Sequence, residues 1–316
     1  MRVLIVKTSS MGDVVHALPA VSDMQRAVPG VQVDWVVEKS FAAIAQAHAG
    51  IDRVIPLQWR KWRKSLRDPA TRAAIAAWRE QMRAQPYDLV LDLQGLVKSA
   101  AFACFARGPR AGYDWRSARE PLASLFYQRK AQVSRELHAV ERNRRLAALS
   151  LGYAVPTSAP DFGLRSAQPQ PGWAVPARCA VLVPCASRPE KLWPTDRWVA
   201  VGRQLAARGL PVVVLWGSPA EEQLAREIAV GCAGLVPPFL TVAQVIDTLS
   251  FAAVVVGLDT GMTHIGAAHG CPTIGIYCDF EPGLAGVTGP GPVRSLGGRG
   301  QSPSLAEVSQ ALESLL

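Results

Sequence analysis

The sequence predicts an α/β protein with two doubly wound parallel sheets. Strand-like and helix-like segments alternate along the chain, apolar β-branched runs mark strands covered on both faces, and one proline-rich segment divides the pattern in two. The chain has 316 residues, a length expected of two domains. Hydrophobic residues make up 49% of it, enough for two buried cores.

In the first half, alternation begins at the apolar run Val3–Val6 and continues to residue 105. The predicted strands are 3–6, 33–37, 53–57 and 89–92, and the predicted helices are 14–27, 41–49, 70–84 and 98–105. A polar loop separates the first strand from the first helix, and a long basic insertion follows the third strand. Such repeated strand–helix units are typical of a doubly wound sheet.

The segment 158–176 is predicted to be a linker, because it is rich in Pro, Gln, Ala and Ser. The predicted domains are therefore 1–157 and 177–316. In the second domain the predicted strands are 180–183, 211–215, 254–257 and, as the last, 273–277; the predicted helices are 196–207, one from 220, 242–249, 261–269 and 305–315. Both domains are expected to be Rossmann-like, with a cleft between them.

The charge of the chain is unevenly distributed. Residues 1–150 hold 24 Lys and Arg against 13 Asp and Glu, a formal charge of +11, whereas residues 151–316 hold 10 against 12, a charge of −2. A basic half implies an anionic partner: nucleic acid, a membrane surface or an acidic substrate. The six cysteines and five histidines lack metal-ligand spacing, and no apolar run is long enough for a membrane span or signal peptide, so a cytosolic protein without a metal is expected.

The first candidate site is the loop after the first strand, from Lys7 to Asp13. Open α/β sheets place their ligands at the carboxyl ends of strands. The single glycine of this loop, Gly12, excludes a dinucleotide-binding or P-loop fingerprint. Asp13 is then either a functional carboxylate or an ordinary one at a helix N-terminus, and the residues alone leave both interpretations open.

A second candidate site is the helix start after strand 254–257. Thr260 and Gly261 would offer backbone N–H groups to a phosphate, and His264 would lie one turn further along. Asp259 would either accept hydrogen bonds from sugar hydroxyls or cap the helix. A cap does not account for the glycine and the histidine together, so the phosphate site is favoured.

Two more candidates follow strands of the second half. Lys191 lies in the loop after strand 180–183, where it would neutralise a diphosphate or remain a solvated surface lysine. Glu221 follows strand 211–215, where it would accept hydrogen bonds from ribose hydroxyls or be a plain carboxylate of a first helical turn.

A basic segment flanked by indoles is the fourth candidate. It contains Trp59, Arg60, Lys61, Trp62, Arg63 and Lys64. Exposed tryptophan is uncommon outside binding surfaces, so the indoles argue against a merely solvated helix face. Nucleic acid is one partner that such a segment would bind, and an anionic amphiphile at a membrane surface is another.

Long strings of this sequence match a known family. They are residues 1–20, 34–38, 94–100, 119–127 and 138–142, together with Asp259-Thr260-Gly261 and His264. On these strings the chain resembles the bacterial lipopolysaccharide heptosyltransferase I family, within glycosyltransferase family 9. The resemblance extends from residue 1 to about residue 285 and is densest in the first half.

The resemblance implies a GT-B fold, in which two Rossmann-like domains face one another across a cleft. It implies an inverting, metal-independent enzyme without a cofactor, which moves heptose from ADP-L-glycero-β-D-manno-heptose to a Kdo residue of Kdo-lipid A. The N-terminal domain would bind the acceptor and the C-terminal domain the nucleotide sugar. The enzyme would be cytoplasmic, peripheral on the inner membrane, and would bind no nucleic acid.

The resemblance also implies a role for each candidate. Asp13 would be the general base, and Lys191 with the Thr260–Gly261 helix start would stabilise the leaving diphosphate. The remaining donor-binding residues would be Ser187, Glu221, Leu240, Asp259 and His264. The acceptor-binding residues would be Lys7, Ser10, Arg60, Lys61, Arg63, Lys64, Arg119 and His138. Two positions depart from the family, because Ala186-Ser187 replaces a usual pair of threonines and Leu240 a common methionine.

Two alternatives stay open. A sibling enzyme that adds a later heptose would be distinguished by its acceptor, which already carries heptose. A nucleic-acid-binding module is suggested by the basic half, and the absence of salt-dependent binding to oligonucleotides would dismiss it.

Overall fold

The protein consists of two compact units, Met1–Gly163 and Leu164–Leu316. The computed structural model describes residues 1–164, 169–186 and 188–316. Each unit contains one sheet whose strands are all parallel. The predicted α/β class with two doubly wound sheets is therefore confirmed, while the assignment of 158–176 as a linker stays a prediction.

The first unit contains a six-stranded sheet. Its strands are β1 (Arg2–Val6), β2 (Gln32–Glu38), β3 (Arg53–Leu57), β4 (Leu89–Asp92), β5 (Arg110–Tyr113) and β6 (Arg129–Ala131). Its helices are α1 (Met11–Val15), α2 (Leu18–Ala27), α3 (Ala42–Gln46), α4 (Trp59–Trp62), α5 (Pro69–Arg83), α6 (Val97–Ala103) and α7 (Ala139–Leu151). Short 3-10 helices lie at Lys39–Phe41 and Pro121–Phe126.

The strand order of this sheet is β3-β2-β1-β4-β5-β6, which is the doubly wound Rossmann order. Val3–Val6 is fully buried, as expected of a parallel strand covered on both faces. The direction of winding reverses between β1 and β4, and ligands bind outside the carboxyl ends of the strands at such a switch point. The loops after β1 and β4 therefore form the expected binding place of this unit.

A buried ion pair fixes α7 against α2. Nε of Arg144 lies 2.6 Å from Oδ2 of Asp23, and a second guanidinium nitrogen reaches the other carboxylate oxygen at 3.2 Å. Such a pair is retained only with good geometry, because burying two charges is costly. The amide of Asn143 also donates to the His16 carbonyl at 3.0 Å. These contacts bring the start of α7 to the loop after β1.

The second unit contains a five-stranded sheet. Its strands are β7 (Cys179–Val183), β8 (Val212–Val214), β9 (Ala252–Leu258), β10 (Thr273–Tyr277) and β11 (Val293–Gly297). Its helices are α8 (Thr195–Ala207), α9 (Pro219–Cys232), α10 (Val242–Leu249), α11 (Gly261–Ala268), α12 (Pro282–Ala285) and α13 (Leu305–Leu315), with a 3-10 helix at Pro189–Lys191. The strand order β11-β10-β9-β7-β8 has its switch point between β7 and β9.

Several predicted element boundaries were wrong. The predicted helix 14–27 is two helices, and Asp13 lies inside the first turn of α1 instead of in the preceding loop. Strand 273–277 is not the last, because β11 follows it in a segment rich in glycine and proline. β11 is a short, partly exposed edge strand, so it lacks the apolar run by which a central strand is detected.

Candidate active site

Asp13 lies at the carboxyl end of β1, in the first turn of α1. Its Oδ2 accepts hydrogen bonds from the Ser10 amide at 2.8 Å and from the Ser10 hydroxyl at 2.7 Å. This is the side-chain-to-backbone half of a capping box, in which the third helical residue reaches back to the N-cap. The capping contact fixes the position of the carboxylate and does not by itself distinguish the two interpretations of Asp13.

The electrostatic surroundings keep the Asp13 carboxylate ionised. Burial alone would raise its pKa, but the charge of Lys7, both Ser10 hydrogen bonds and the charge of Arg119 outweigh burial and lower the pKa below its usual range. Lys7 is itself buried, and its Nζ donates to the Leu93 carbonyl at 3.0 Å. Burial lowers the pKa of Lys7, against the opposing charges of Asp13 and Asp92.

The loop after β4 is joined to the loop after β1. Oε1 of Gln94 accepts from both the amide and the hydroxyl of Thr8, each at 2.7 Å. Below this contact the buried Asp92 carboxylate accepts from the amide of Gln94 at 2.8 Å and from the hydroxyls of Ser99 and Tyr127, each at 2.7 Å. These hydrogen bonds join the loops after β1 and β4, which lie on the two sides of the switch point of the first sheet.

A cavity of about 90 Å³ opens beside Asp13. Its lining combines the carboxylate with cations and polar groups: Lys7, Ser9, Asp13, Leu93, Gln94, Tyr113, Arg119, Ala139, Arg142 and Asn143. Lys7 and Arg119 are thus brought to Asp13, as the acceptor assignment requires. His138 caps α7 through Nδ1, 3.3 Å from the Val140 amide, and its ring packs edge-on against His16.

Arg142 is a site residue that the sequence candidates omitted. Its guanidinium lies 4.7 Å from the centroid of the Tyr113 ring and donates to the Ser117 carbonyl at 2.7 Å. Nε of Arg142 is buried and has no hydrogen-bond partner within the described parts of the chain. The signal that could have indicated it is its place at the end of the matching string 138–142.

The basic segment forms a separate surface of the first unit. Arg60, Arg63 and Lys64 line an open cavity together with Trp59 and Lys98, while Lys61 is exposed on the same short helix outside that lining. Lys98 is a further cation that the candidate residues did not include. The structure therefore gathers cations from two helices, α4 and α6, that are separated by more than thirty residues of sequence.

The inference drawn from the two indoles was wrong. Trp62 is only 5% exposed and packs in the core against Trp78, with ring centroids 6.2 Å apart. Trp59 is half-buried and packs edge-on against Phe102. The indoles anchor α4 to the unit, because a four-residue helix has little stability of its own. The exposed character of this segment comes from its cations.

In the second unit, Lys191 and Asp259 form an ion pair at the switch point. Lys191 follows β7 and Asp259 follows β9, and Nζ lies 2.5 Å from Oδ2. The other carboxylate oxygen lies 3.5 Å from Nε2 of His264. Burial would raise the pKa of Asp259, but the hydrogen bonds from His264 and Lys191 and their charges lower it. Lys191 is thus no solvated surface lysine.

The helix start beside this pair belongs to α11, whose N-cap residue is Thr260. The side chain of Thr260 makes no capping hydrogen bond, and the Asp259 carboxylate contacts the side chains of Lys191 and His264. The capping interpretation of Asp259 is therefore wrong. The helix approaches the sheet closely at Gly266, where a Cβ atom would lie 2.7 Å from the Val255 side chain.

The remaining donor candidates are Ser187, Glu221 and Leu240. Oε2 of Glu221 accepts from the Gly217 amide at 2.9 Å, within its own strand–helix loop. Leu240 is buried just before α10. Ser187 lies outside the described residues. Their roles in donor binding stay predictions.

Within residues 1–164, 169–186 and 188–316, none of the helices combines the length and hydropathy that crossing a membrane requires. Over the same ranges, histidine, cysteine and acidic side chains do not gather in groups of three or more that would hold a metal ion.

Comparison with known proteins places the chain among glycosyltransferases. The structure of E. coli heptosyltransferase WaaC with ADP matches with a TM-score of 0.91 and 41% identity, covering 100% of both chains. The structure of E. coli heptosyltransferase WaaC with ADP-2-deoxy-2-fluoro heptose matches with a TM-score of 0.86 and 40% identity, covering 99% of each. The fold and its switch-point sites thus define a glycosyltransferase of the GT-B class.

Sequence comparison specifies the family within that class. Lipopolysaccharide heptosyltransferase 1 of Escherichia coli strain K12 is 44% identical over 291 residues, which are 92% of this chain and 91% of that protein. The family model for glycosyltransferase family 9 (heptosyltransferase) matches residues 75–312. The chain belongs to glycosyltransferase family 9, the heptosyltransferases.

Proposed function

We propose that this enzyme transfers L-glycero-D-manno-heptose from ADP-heptose to a Kdo residue of Kdo-lipid A, with inversion at the anomeric carbon. The observation that carries the proposal is the ionised Asp13 carboxylate at a switch point, beside the cations Lys7, Arg119 and Arg142. A carboxylate in that setting can take a proton from a hydroxyl while the cations hold an acidic sugar.

In the proposed reaction, Asp13 takes the proton of the attacking Kdo hydroxyl. The oxygen forms a bond to the anomeric carbon of heptose, the bond from that carbon to the diphosphate breaks, and ADP leaves with the electron pair. Such a transition state resembles an oxocarbenium ion, and negative charge grows on the leaving group. The Kdo carboxylate would pair with Arg119 and Arg142, because guanidinium groups bind carboxylates well.

Donor binding is assigned to the second unit. ADP would place its diphosphate at the start of α11, where the first backbone N–H groups and the helix dipole favour anions. Lys191 lies beside that helix start through its contact with Asp259, and it would meet the leaving diphosphate as a point charge. The solved E. coli heptosyltransferase structures with ADP and with ADP-2-deoxy-2-fluoro heptose support an ADP-sugar as the donor. Ser187, Glu221 and Leu240 would contribute to the same donor site.

We further infer that no metal and no cofactor takes part, since Lys191 and the helix start supply the positive potential that diphosphate departure needs. The cations Arg60, Lys61, Arg63 and Lys64 would bind acceptor phosphates and hold the protein at the anionic cytoplasmic face of the inner membrane, each charge contributing about 1 kcal/mol. The proposal assigns no role to nucleic acid.

The decisive experiment combines purified protein, ADP-heptose and Kdo-lipid A, and measures ADP release together with the mass of the glycolipid product. We expect one heptose per acceptor and unchanged turnover in the presence of a chelator. Kdo-lipid A that already carries one heptose serves as the matched control. Preferred transfer to the control acceptor would favour the sibling enzyme, and ADP release without a heptosylated product would refute the proposal.

A further inference from the structure

The first unit contains an aromatic cavity that the proposed reaction does not use. It has a volume of about 240 Å³ and lies among α4, α5 and α6. Five aromatic side chains form most of its wall: Trp59, Trp62, Trp78, Phe102 and Phe105. An engineered apolar cavity of about 150 Å³ admits benzene, so a space of this size and character can hold an apolar group.

The walls of this cavity are fixed by ring-on-ring contacts. Trp78 packs edge-on against Phe102 and Phe105, with centroids 5.8 and 5.7 Å apart. Trp59 meets Phe102 at 5.6 Å in the same geometry. Edge-to-face arrangements at these distances are favourable for aromatic pairs. The cavity is thus bounded by mutually packed rings, which makes it a preformed apolar site.

The mouth of the aromatic cavity is cationic. Trp59 and Lys98 line both this cavity and the open cavity that contains Arg60, Arg63 and Lys64, so the two spaces share a boundary. Arg79 adds a cation over the Phe105 ring, 4.5 Å from its centroid. In the described part of the chain, no acidic side chain lines either cavity. The ligand that complements this pair of spaces has an anionic head and an apolar tail.

We propose that the aromatic cavity binds an acyl chain of the acceptor glycolipid while Arg60, Arg63, Lys64 and Lys98 bind its phosphates. The inference rests on the proposed function, because it assigns a second contact to the same acceptor molecule. Lifting a glycolipid head toward Asp13 would draw part of an acyl chain toward water, and the cavity offers that part an apolar surface. The enzyme would thereby recognise the lipid as well as the sugar.

The test uses two soluble acceptors that differ only in one chain. Both are Kdo-bearing glucosamine disaccharide phosphates. One carries a single octanoyl chain and is used below its aggregation concentration, and the other carries no acyl chain. Each methylene buried in the cavity should contribute about a fourfold gain in affinity. We therefore expect the wild-type KM to be at least tenfold lower for the octanoyl acceptor, with similar kcat.

Cavity-filling variants then locate the effect. Ala101→Phe and Ile75→Trp each place a ring in the cavity from a different helix and should erase the tenfold preference, with less than a twofold change in KM for the chain-free acceptor. Ala76→Phe, on the exposed face of α5, is the matched control and should keep the preference. Turnover of the chain-free acceptor shows that each variant is folded.

The outcomes separate the two proposals. Equal KM values for both acceptors in the wild type, or a preference that survives in both filling variants, would overturn the acyl-chain site and leave the proposed function intact. Failure of the wild type to turn over either acceptor would overturn the proposed function and the acyl-chain site together. Arg63→Ala should raise KM for both acceptors by the same factor, because it removes a contact to the phosphate-bearing head and none to the acyl chain.

Discussion

Asp13 in the first unit and Asp259 in the second each follow a strand beside which the order of its sheet reverses. Both carboxylates have a lowered pKa, and a lysine contributes in each case. The hydrogen bonds differ, however. Neutral donors of Ser10 hold Asp13, whereas Lys191 and His264 hold Asp259.

This difference indicates how one local arrangement can serve two purposes. The hydrogen bonds to Oδ2 of Asp13 come from neutral donors, which is consistent with the proposed role of Asp13 as a base. A carboxylate that is already paired with a lysine mainly positions that lysine. We propose that Asp259 positions Lys191 for the diphosphate, so loss of Asp13 and loss of Asp259 should have different kinetic effects.

The largest effect is expected for Asp13→Asn. The amide cannot accept the proton, and loss of a general base typically lowers turnover by about 10²–10⁴-fold. We expect kcat for heptose transfer to fall by that factor while ADP affinity, measured by calorimetry, stays within twofold. The matched change Asp259→Asn should lower activity only about tenfold, chiefly through KM for ADP-heptose. Near-normal turnover in Asp13→Asn would remove Asp13 from the mechanism.

The next largest effect is expected for Lys191→Ala. Removing a preorganised charge that stabilises a leaving group costs roughly 10²–10³-fold in kcat. Because Asp259 then loses its partner, donor affinity should also fall, and rapid-quench measurement of single turnovers will separate the two contributions. Arg188→Ala, which removes an exposed ion pair with Asp279, is the control and should change kcat by less than twofold. Equal losses in both variants would contradict the assigned role of Lys191.

A smaller effect, seen in the pH profile, is expected for Lys7→Gln. In the wild type the pKa of Asp13 lies below its usual range, so kcat/KM should stay level as pH falls from 8 toward about 5. Burial raises the pKa of Asp13 and the charge of Lys7 lowers it. Without Lys7 the pKa of Asp13 therefore rises, because a nearby positive charge no longer favours the ionised form. The acidic limb of the kcat/KM profile should then move to higher pH.

Rescue distinguishes this electrostatic role from a structural one. Lys7→Arg keeps the charge and should restore the wild-type profile in part, even if the altered packing lowers the overall rate. A profile that is unchanged in Lys7→Gln would show that Lys7 does not set the ionisation of Asp13.

The core strands could be predicted from the sequence, but parts of the periphery could not. Val3–Val6 and Thr273–Tyr277 are apolar runs covered on both faces, which is the strongest strand signal available. Arg129–Ala131 and Val293–Gly297 are edge strands with exposed or polar residues, and their pairing is specified by neighbours far along the chain. Local patterns do not contain that information.

The site shows the same limit. Asp13 and Lys191 were found because both follow a predicted strand, and the place of such residues is fixed by local order. Arg142 comes to Asp13 only because Arg144 pairs with Asp23, 121 residues away, and docks α7 onto α2. Burial of Trp62 could likewise not be predicted, since its aromatic partner Trp78 lies on α5 and meets it only through tertiary packing.

The buried side chain of Trp62, on the short helix α4, bears on how this enzyme diverges over evolution. The indoles anchor the helix and the cations carry its charge, and the cations are the more exposed of the two groups. Exchange of an exposed cation at positions 61, 63 or 64 therefore leaves the scaffold largely unaltered, whereas Arg60 also packs over the Phe41 ring. If these cations bind acceptor phosphates as proposed, lineages whose glycolipids gain or lose phosphate groups can follow that change by single surface substitutions, with no remodelling of the interior.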